Sequence, residues 1–310
     1  MDMPPIVTLT LSPALDKSCS VDNVVAERKL RCGEPVYHPG GGGINVARAI
    51  KELGGNVVAY WTCGGAIGEF FKQLLNDEGL HHEPIAIDAM TRENLIVFEE
   101  SSGQQFRFNM PGATVHDAEI QSCLELLKSV DPPPEYLVLS GSLPTGVDND
   151  VYARVAKTMP RTCRVVLDTS GAALRLALEA SVFLAKPNLR ELGELAGRTV
   201  ENDSQVREIA RSLIRDGKAQ IVLTSIGAGG AILTTADDHR HIRAPTVKTR
   251  SKVGAGDSTV AGMVFALSQG KSIFEAACYG VAAGSAAVMN EGTELCHRSD
   301  TERLFQEMIK

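Results

Sequence analysis

Short β-branched runs alternate with longer helical stretches along most of this chain, and no other pattern restricts its possible folds as much. Ile6 to Leu11, Val57 to Thr62, Tyr136 to Leu139, Arg164 to Leu167, Val182 to Ala185 and Gln220 to Thr224 are apolar runs of strand length. Ile44 to Leu53, closed by Gly54-Gly55, and Glu69 to Leu75 carry helical spacing, and further helical stretches separate the later runs. Strands that are apolar throughout and are joined through helices predict right-handed crossovers and a mainly parallel sheet covered on both faces. The fold class is therefore α/β. In the last third, Gly256 to Gln269, Ile273 to Met289 and Asp300 to Ile309 read as helices rich in small residues.

Two segments break the rhythm. Cys19 to His38 is polar and β-prone without helical periodicity, and Asn94 to Met110 reads as a hairpin around Ser101-Ser102-Gly103. They predict one small β lid, formed from about 17–38 and 92–110, beside the main sheet of a single domain covering 1–310. Alternation along the second segment predicts a lid with one apolar face, setting Val97, Glu99 and Ser101 opposite Ile96 and Phe98.

Composition narrows the partners. The net charge of −7, from 31 basic and 38 acidic residues, gives no footprint for a nucleic acid, so any anion must be held locally. No apolar run approaches the ~20 residues of a membrane-spanning helix. Met1 to Leu11 lacks the regions of a signal peptide, and a cytoplasmic location is expected. The seven cysteines are widely spread with no C-x-x-C, which predicts scattered reduced thiols rather than disulfide staples or a zinc site.

The segment with most chemistry is Val253-Gly254-Ala255-Gly256-Asp257-Ser258, directly before an apolar helix. Glycines let successive N–H groups turn toward one point, and the helix N-terminus adds partial positive charge, an arrangement suited to a transferring phosphoryl group. Asp257, in the first turn, is placed to accept a proton from an attacking hydroxyl. Pro39-Gly40-Gly41-Gly42-Gly43-Ile44-Asn45-Val46 opens a second helix with four glycines, a costly choice that suits close approach of a ligand to the main chain. Asp16, in Ser12-Pro13-Ala14-Leu15-Asp16, follows the C-terminal end of the first strand, the edge where open α/β sheets bind ligands. Gly270-Lys271-Ser272 mimics the tail of a P-loop, but Phe265 holds the required upstream glycine position and a helix precedes it. The histidines form no ligand set: His81 and His82 are adjacent, and His239 and His241 read as exposed strand positions.

The ordered set of G-A-G-D at 254–257, the glycine run followed by I-N-V-A at 44–47, and Lys186-Pro187-Asn188-x-x-Glu191 resembles the ribokinase-like PfkB carbohydrate kinases over essentially the whole chain. L-T-L-S-P-A-L-D at 9–16 and G-G-G-G-I-N-V-A-R-A-I at 40–50 look most like the phosphosugar branch, and within it the bacterial 6-phosphofructokinases. The resemblance implies MgATP-dependent phosphorylation of fructose 6-phosphate; tagatose 6-phosphate and fructose 1-phosphate are the alternative substrates, and a non-catalytic sugar-phosphate sensor is the alternative of another class. Kinases of the two alternative sugars usually carry a Lys inside the glycine run, where this chain has Gly42. By the same resemblance, Asp257 is the base, and Gly254, Ala255 and Gly256 hold the γ-phosphate. Asp16, Gly41, Gly42, Asn45 and Ser142 line the sugar, while Arg92, Lys29, Arg31 and Arg107 are candidates for its phosphate. Asn188 and Glu191, at i and i+3, organise Mg²⁺ largely through water, as a hard hydrated cation prefers. Lys186, Ser225, Gly227 and Gly230 lie by the nucleotide, and Asn290-Glu291-Gly292-Thr293 resembles the segment beside the adenine and, in some members, a K⁺ site. Glu294 puts an acid where that subfamily carries a base. The resemblance further implies a homodimer joined through the β lid.

Overall fold

The computed structural model describes residues 6–310; Met1 to Pro5 lie outside the described residues. The strands are β1 (Ile6–Thr10), β2 (Ala14–Val21), β3 (Val36–Gly40), β4 (Val57–Cys63), β5 (His82–Ala86), β6 (Arg92–Glu99), β7 (Gln104–Phe108), β8 (Tyr136–Ser140), β9 (Arg164–Asp168), β10 (Val182–Ala185), β11 (Ala219–Ser225), β12 (Ala231–Thr234) and β13 (His239–Ile242). The helices are α1 (Gly42–Glu52), α2 (Gly65–Asp77), α3 (Asp117–Lys128), α4 (Val151–Thr158), α5 (Gly171–Ala177), α6 (Leu189–Ala196), α7 (Asp203–Arg215), α8 (Ala255–Ser268), α9 (Ile273–Ala287) and α10 (Arg298–Met308).

Nine strands form one sheet in the order β13-β12-β11-β10-β9-β8-β1-β4-β5. All pairs from β11 to β5 are parallel, and at one edge β12 runs against both of its neighbours, β11 and β13. The expected mainly parallel α/β sheet is what forms. Alternate residues of each strand face opposite cores. Val138, Val166 and Leu184 pack with α1, α2, α8, α9 and α10, while Leu137, Leu139, Val165, Leu167 and Val182 pack with α3, α4, α5 and α7. The small residues of the last third permit close helix packing: a Cβ at Gly262 would stand 2.7 Å from Ala283 Cβ, and one at Gly280 2.7 Å from the Thr259 carbonyl.

The lid is a separate four-stranded sheet, β3-β2-β6-β7. It starts at Ala14, slightly before the expected boundary, and residues 22–35 form an exposed loop rather than strand. The grouping of Val97 and Glu99 opposite Ile96 and Phe98 holds, but which face is the more apolar differs from expectation. Register sets Asp16, Ser18, His38, Asn94, Ile96, Phe98 and Arg107 on one face, and Leu15, Tyr37, Leu95, Val97, Phe106 and Phe108 on the other. The second face is the more apolar one; Ile96 and Phe98 belong to the polar face. His239 departs from expectation too. Its ring is buried, with Nδ1 2.9 Å from Thr234 Oγ1 and Nε2 3.3 Å from Asp203, whereas His241 is exposed. No described helix is long and apolar enough to cross a membrane.

Candidate active site

The C-terminal ends of β1, β8, β9, β10 and β11 share one edge of the main sheet, and there the candidate residues gather. Three helices begin at this edge from glycines without a side-chain cap, Gly41 for α1, Gly64 for α2 and Gly254 for α8. Gly254 adopts φ 73°, the left-handed region open to glycine. By contrast α6, α7 and α9 are capped by Asn188, Asn202 and Ser272. The last of these disposes of the P-loop mimic, because Ser272 closes a capping box with Glu275.

Of these, α1 and α8 meet through their side chains. Asn45 Nδ2 donates to Asp257 Oδ2 at 2.8 Å. Asp257 is half-buried in the first turn of α8. Burial, and then the carboxylate of Asp168, push it up to about 6, against the opposing pull of Asn45 and Lys186. Lys186 is buried and sits 3.0 Å from Asp168 Oδ1. Burial alone would lower the ammonium; Asp168, Asp257 and Glu191 outweigh it and hold Lys186 above its ordinary value. A carboxylate, a buried cation and a helix N-terminus without a side-chain cap thus surround one point, where a Cβ at Gly256 would lie in ordinary contact with Lys186 Nζ at 3.6 Å.

The glycine run meets the protein's own backbone. A Cβ at Gly43 would stand 2.5 Å from Thr10 Oγ1, and one at Gly42 would meet Ser140 Oγ and stand 2.7 Å from Gly141 N. Close approach is the reason for these glycines, as expected, but at 42 and 43 the approaching groups are the ends of β1 and β8. The carbonyl of Gly141 accepts from Tyr152 Oη at 3.2 Å and Thr169 Oγ1 at 2.8 Å, which anchors the loop where Ser142 is exposed.

On the lid, Asp16 Oδ1 accepts from Asn94 Nδ2 at 2.9 Å, and burial raises this carboxyl against the pull of Asn94 and Arg92. Arg92 donates to the Met110 and Ser12 carbonyls at 3.0 and 3.2 Å, so its guanidinium also ties the lid to the main body. The polar lid face closes a cleft of about 1540 Å³ lined by Ser18, His38, Phe98 and Arg107 on one side and Arg250, Lys252 and Glu294 on the other. Lys29 and Arg31 are exposed on the 22–35 loop and, like Asp16, Asn45, Arg92, Lys186 and Asp257, are not among the residues that line this cleft. Asp168, Asn94 and His38 escaped the sequence reading. Asp168 ends a recognised apolar run, the same signal that singled out Asp16; nothing local marks Asn94 or His38.

Among the nucleotide-side candidates, Asn188 and Glu191 form a reciprocal capping box: each side chain accepts from the other's backbone N–H at 2.9 Å. The other carboxylate oxygen of Glu191 lies 4.0 Å from Arg190 Nη2, and no described cluster of three acidic, His or Cys side chains could grip a metal. That fits a hydrated Mg²⁺ held mainly by phosphates rather than a protein cage. Ser225 ends β11 and bridges to Asn188; Gly227 has φ 62° in the turn that follows. A Cβ at Gly230 would collide with the Ile242 carbonyl, so packing against β13 explains that glycine. Asn290 spends its amide on the Leu295 carbonyl at 2.6 Å, holding its own loop. Glu294 pairs with His297 at 2.9 Å. Thr293 Oγ1 nearby is buried without a partner, an oxygen of the type a monovalent cation accepts.

The pfkB family carbohydrate kinase model matches residues 14–300. The chain belongs to this family. It is 41% identical over 302 residues to the ATP-dependent 6-phosphofructokinase isozyme 2 of Escherichia coli (strain K12), covering 97% of each chain. A crystal structure of phosphofructokinase-2 from Escherichia coli in complex with potassium superposes with a TM-score of 0.95 at 40% identity, covering 99% of this chain and 100% of that one. The tetrameric inhibited form of the same enzyme gives 0.94 at 39%, with the same coverage.

Proposed function

We propose that this chain is an ATP-dependent 6-phosphofructokinase that converts fructose 6-phosphate to fructose 1,6-bisphosphate. The observation that carries the reading is the meeting of two glycine-led helix starts at the Asn45–Asp257 hydrogen bond, beside buried Lys186. Asp257 takes the proton from the sugar 1-hydroxyl as its oxygen attacks the γ-phosphorus of ATP and the bond to the β-phosphate breaks. Asn45 orients that carboxylate, and a base poised at about 6 is ionised at neutral pH yet still basic enough to help. Gly254, Ala255 and Gly256 offer N–H groups to the transferring phosphoryl. Mg²⁺, when bound, neutralises developing phosphate charge, with Asn188 and Glu191 reaching its waters; K⁺ is expected by the loops around Thr293. Asp16, Gly41, Gly42, Asn45 and Ser142 receive the sugar, and Arg92 and Arg107 its phosphate. Lys186, Ser225, Gly227, Gly230 and Asn290 serve the nucleotide side. The choice of fructose 6-phosphate rests on the Escherichia coli relative.

The working unit is a cytoplasmic homodimer joined through the lids. Seven of the ten exposed large hydrophobic residues, Val24, Val25, Leu30, Val36, Phe98, Phe108 and Met110, fall within the lid segments. A four-stranded sheet with such a surface needs cover. Lys29 and Arg31, exposed on the 22–35 loop, then serve the partner's sugar phosphate. Light scattering at assay concentration checks the assembly: a fully active species at the 33.1 kDa of one chain excludes it.

The activity is tested by ADP release with fructose 6-phosphate, tagatose 6-phosphate and fructose 1-phosphate. Fructose 6-phosphate should give the highest kcat/KM. A higher value for either rival reassigns the sugar, and tight binding without turnover makes the chain a sensor.

A further inference from the structure

Five of the seven cysteines, Cys63, Cys123, Cys163, Cys278 and Cys296, are buried, and burial pushes each of their thiols up. The remaining two lie together in the lid. Cys19 is on β2 at the rim of the cleft, and Cys32 is exposed on the returning 22–35 loop. The loop is laid against β2 beside them: Gly33 N donates to the Ser20 carbonyl at 2.9 Å, and a Cβ at Gly33 would stand 3.2 Å from Ser20 Oγ. Residues 19–20 and 32–33 therefore run side by side. Burial and the neighbouring Cys32 thiol raise Cys19, with Lys17 pulling the other way.

We propose that Cys19 and Cys32 form a reversible modification site, a thiol pair that hydrogen peroxide converts to an intramolecular disulfide pinning the loop that carries Lys29 and Arg31. Exposed Cys32 reacts first. Its thiolate attacks one peroxide oxygen, the O–O bond breaks, and the sulfenic acid forms with release of one water. Cys19 sulfur then attacks the Cys32 sulfur, the S–O bond breaks, and hydroxide leaves as water with the Cys19 proton. Two thiols lose two electrons and two protons, and peroxide becomes two waters. In a reducing compartment such a bond is transient, which suits a sensor rather than a staple. The kinetic consequence rests on the reading above, in which Lys29 and Arg31 on this loop serve the partner's sugar phosphate; a loop linked covalently to its own β2 reaches across less readily, which weakens that contact.

The test uses the full chain, reduced with dithiothreitol and then treated with hydrogen peroxide. The intact mass should fall by two hydrogens, peptide mapping should recover a Cys19–Cys32 link, and dithiothreitol should reverse both. The KM for fructose 6-phosphate should rise by at least about fivefold, the low end of ordinary coupling between sites. Cys19→Ser and Cys32→Ser should each abolish both changes while keeping the reduced activity. Gain of oxygen at Cys32 without the mass loss, or covalent dimers through Cys32, overturns the site. A link that leaves KM unchanged overturns the coupling to the loop. If the reduced chain turns over no fructose 6-phosphate, the activity reading fails and the coupling with it, while the mass measurement still decides the site.

Discussion

Every central strand of the nine-stranded sheet has helices on both faces, whereas the four-stranded lid leaves Val36, Phe98 and Phe108 about half exposed. The large sheet completes its own core and can hold a carboxylate and a buried cation at fixed separation. The lid turns one face, with Val36 and Phe98, to the cleft and carries Phe108 on the other, and both faces leave apolar surface unburied. Catalytic precision and substrate capture are thus divided between a part that is stable alone and a part that needs company.

The sharpest way to break this division is at Asp257. Asp257→Asn should lower kcat by ~10²–10⁴-fold with nucleotide affinity nearly unchanged. In the wild type kcat/KM should fall as pH drops through about 6, where Asp257 gains its proton. Stability moves the other way. The folded carboxyl keeps its proton up to about 6 and the unfolded one releases it near 3.8, so wild type loses stability as pH rises across that window. The Asn variant escapes that loss and should melt higher at pH above the window, read by calorimetry. Unchanged kcat would remove Asp257 from the chemistry.

Next in size is the core of the large sheet. Trp61 on β4 is fully buried, with its ring centroid 4.5 Å from that of Phe71 and Nε1 3.3 Å from His82 Nδ1. Trp61→Ala should cost about 3–5 kcal/mol in denaturant unfolding. Phe108→Asp, on the apolar lid face, should leave the monomer fold intact and weaken dimerisation by about 2 kcal/mol or more, seen as monomer in sedimentation. If Phe108→Asp instead unfolds the chain, the lid is part of the core and the contrast fails.

The smallest expected effect separates two uses of one residue. Glu191→Gln keeps the capping box, since glutamine serves at that position too, but removes the charge. The Mg²⁺ concentration for half-maximal rate should rise about 10–100-fold, with the sugar KM and melting temperature steady. An unchanged Mg²⁺ titration would leave Glu191 a cap alone.

Elements long enough to show their own period were legible along the chain. The strands from β1 to β11 in the large sheet other than β5, together with the helices of the last third, fall where their apolar runs predict them. β5, a five-residue edge strand, and β12, a four-residue strand between β11 and β13, were missed. The 22–35 loop was read as strand because polar β-prone residues look alike whether or not they find a partner. At the site, Asp257 could be named from its glycine and helix-start context, which is local chemistry, whereas Asn188 and Glu191 were named through the family resemblance of their motif.

What only the tertiary structure decided is which of these groups meet. Asn45 and Asp257 are 212 residues apart and share a hydrogen bond because α1 and α8 start from the same sheet edge. Asp168 influences Asp257 because β9 ends beside the strand that carries Lys186. Periodicity, turn chemistry and helix starts are written within a few neighbouring residues, so the sequence by itself determined the elements and the reactive groups. A raised carboxyl, a paired lysine and a lid face without cover arise from burial and from contacts across the chain, and these exist only once the sheet has closed.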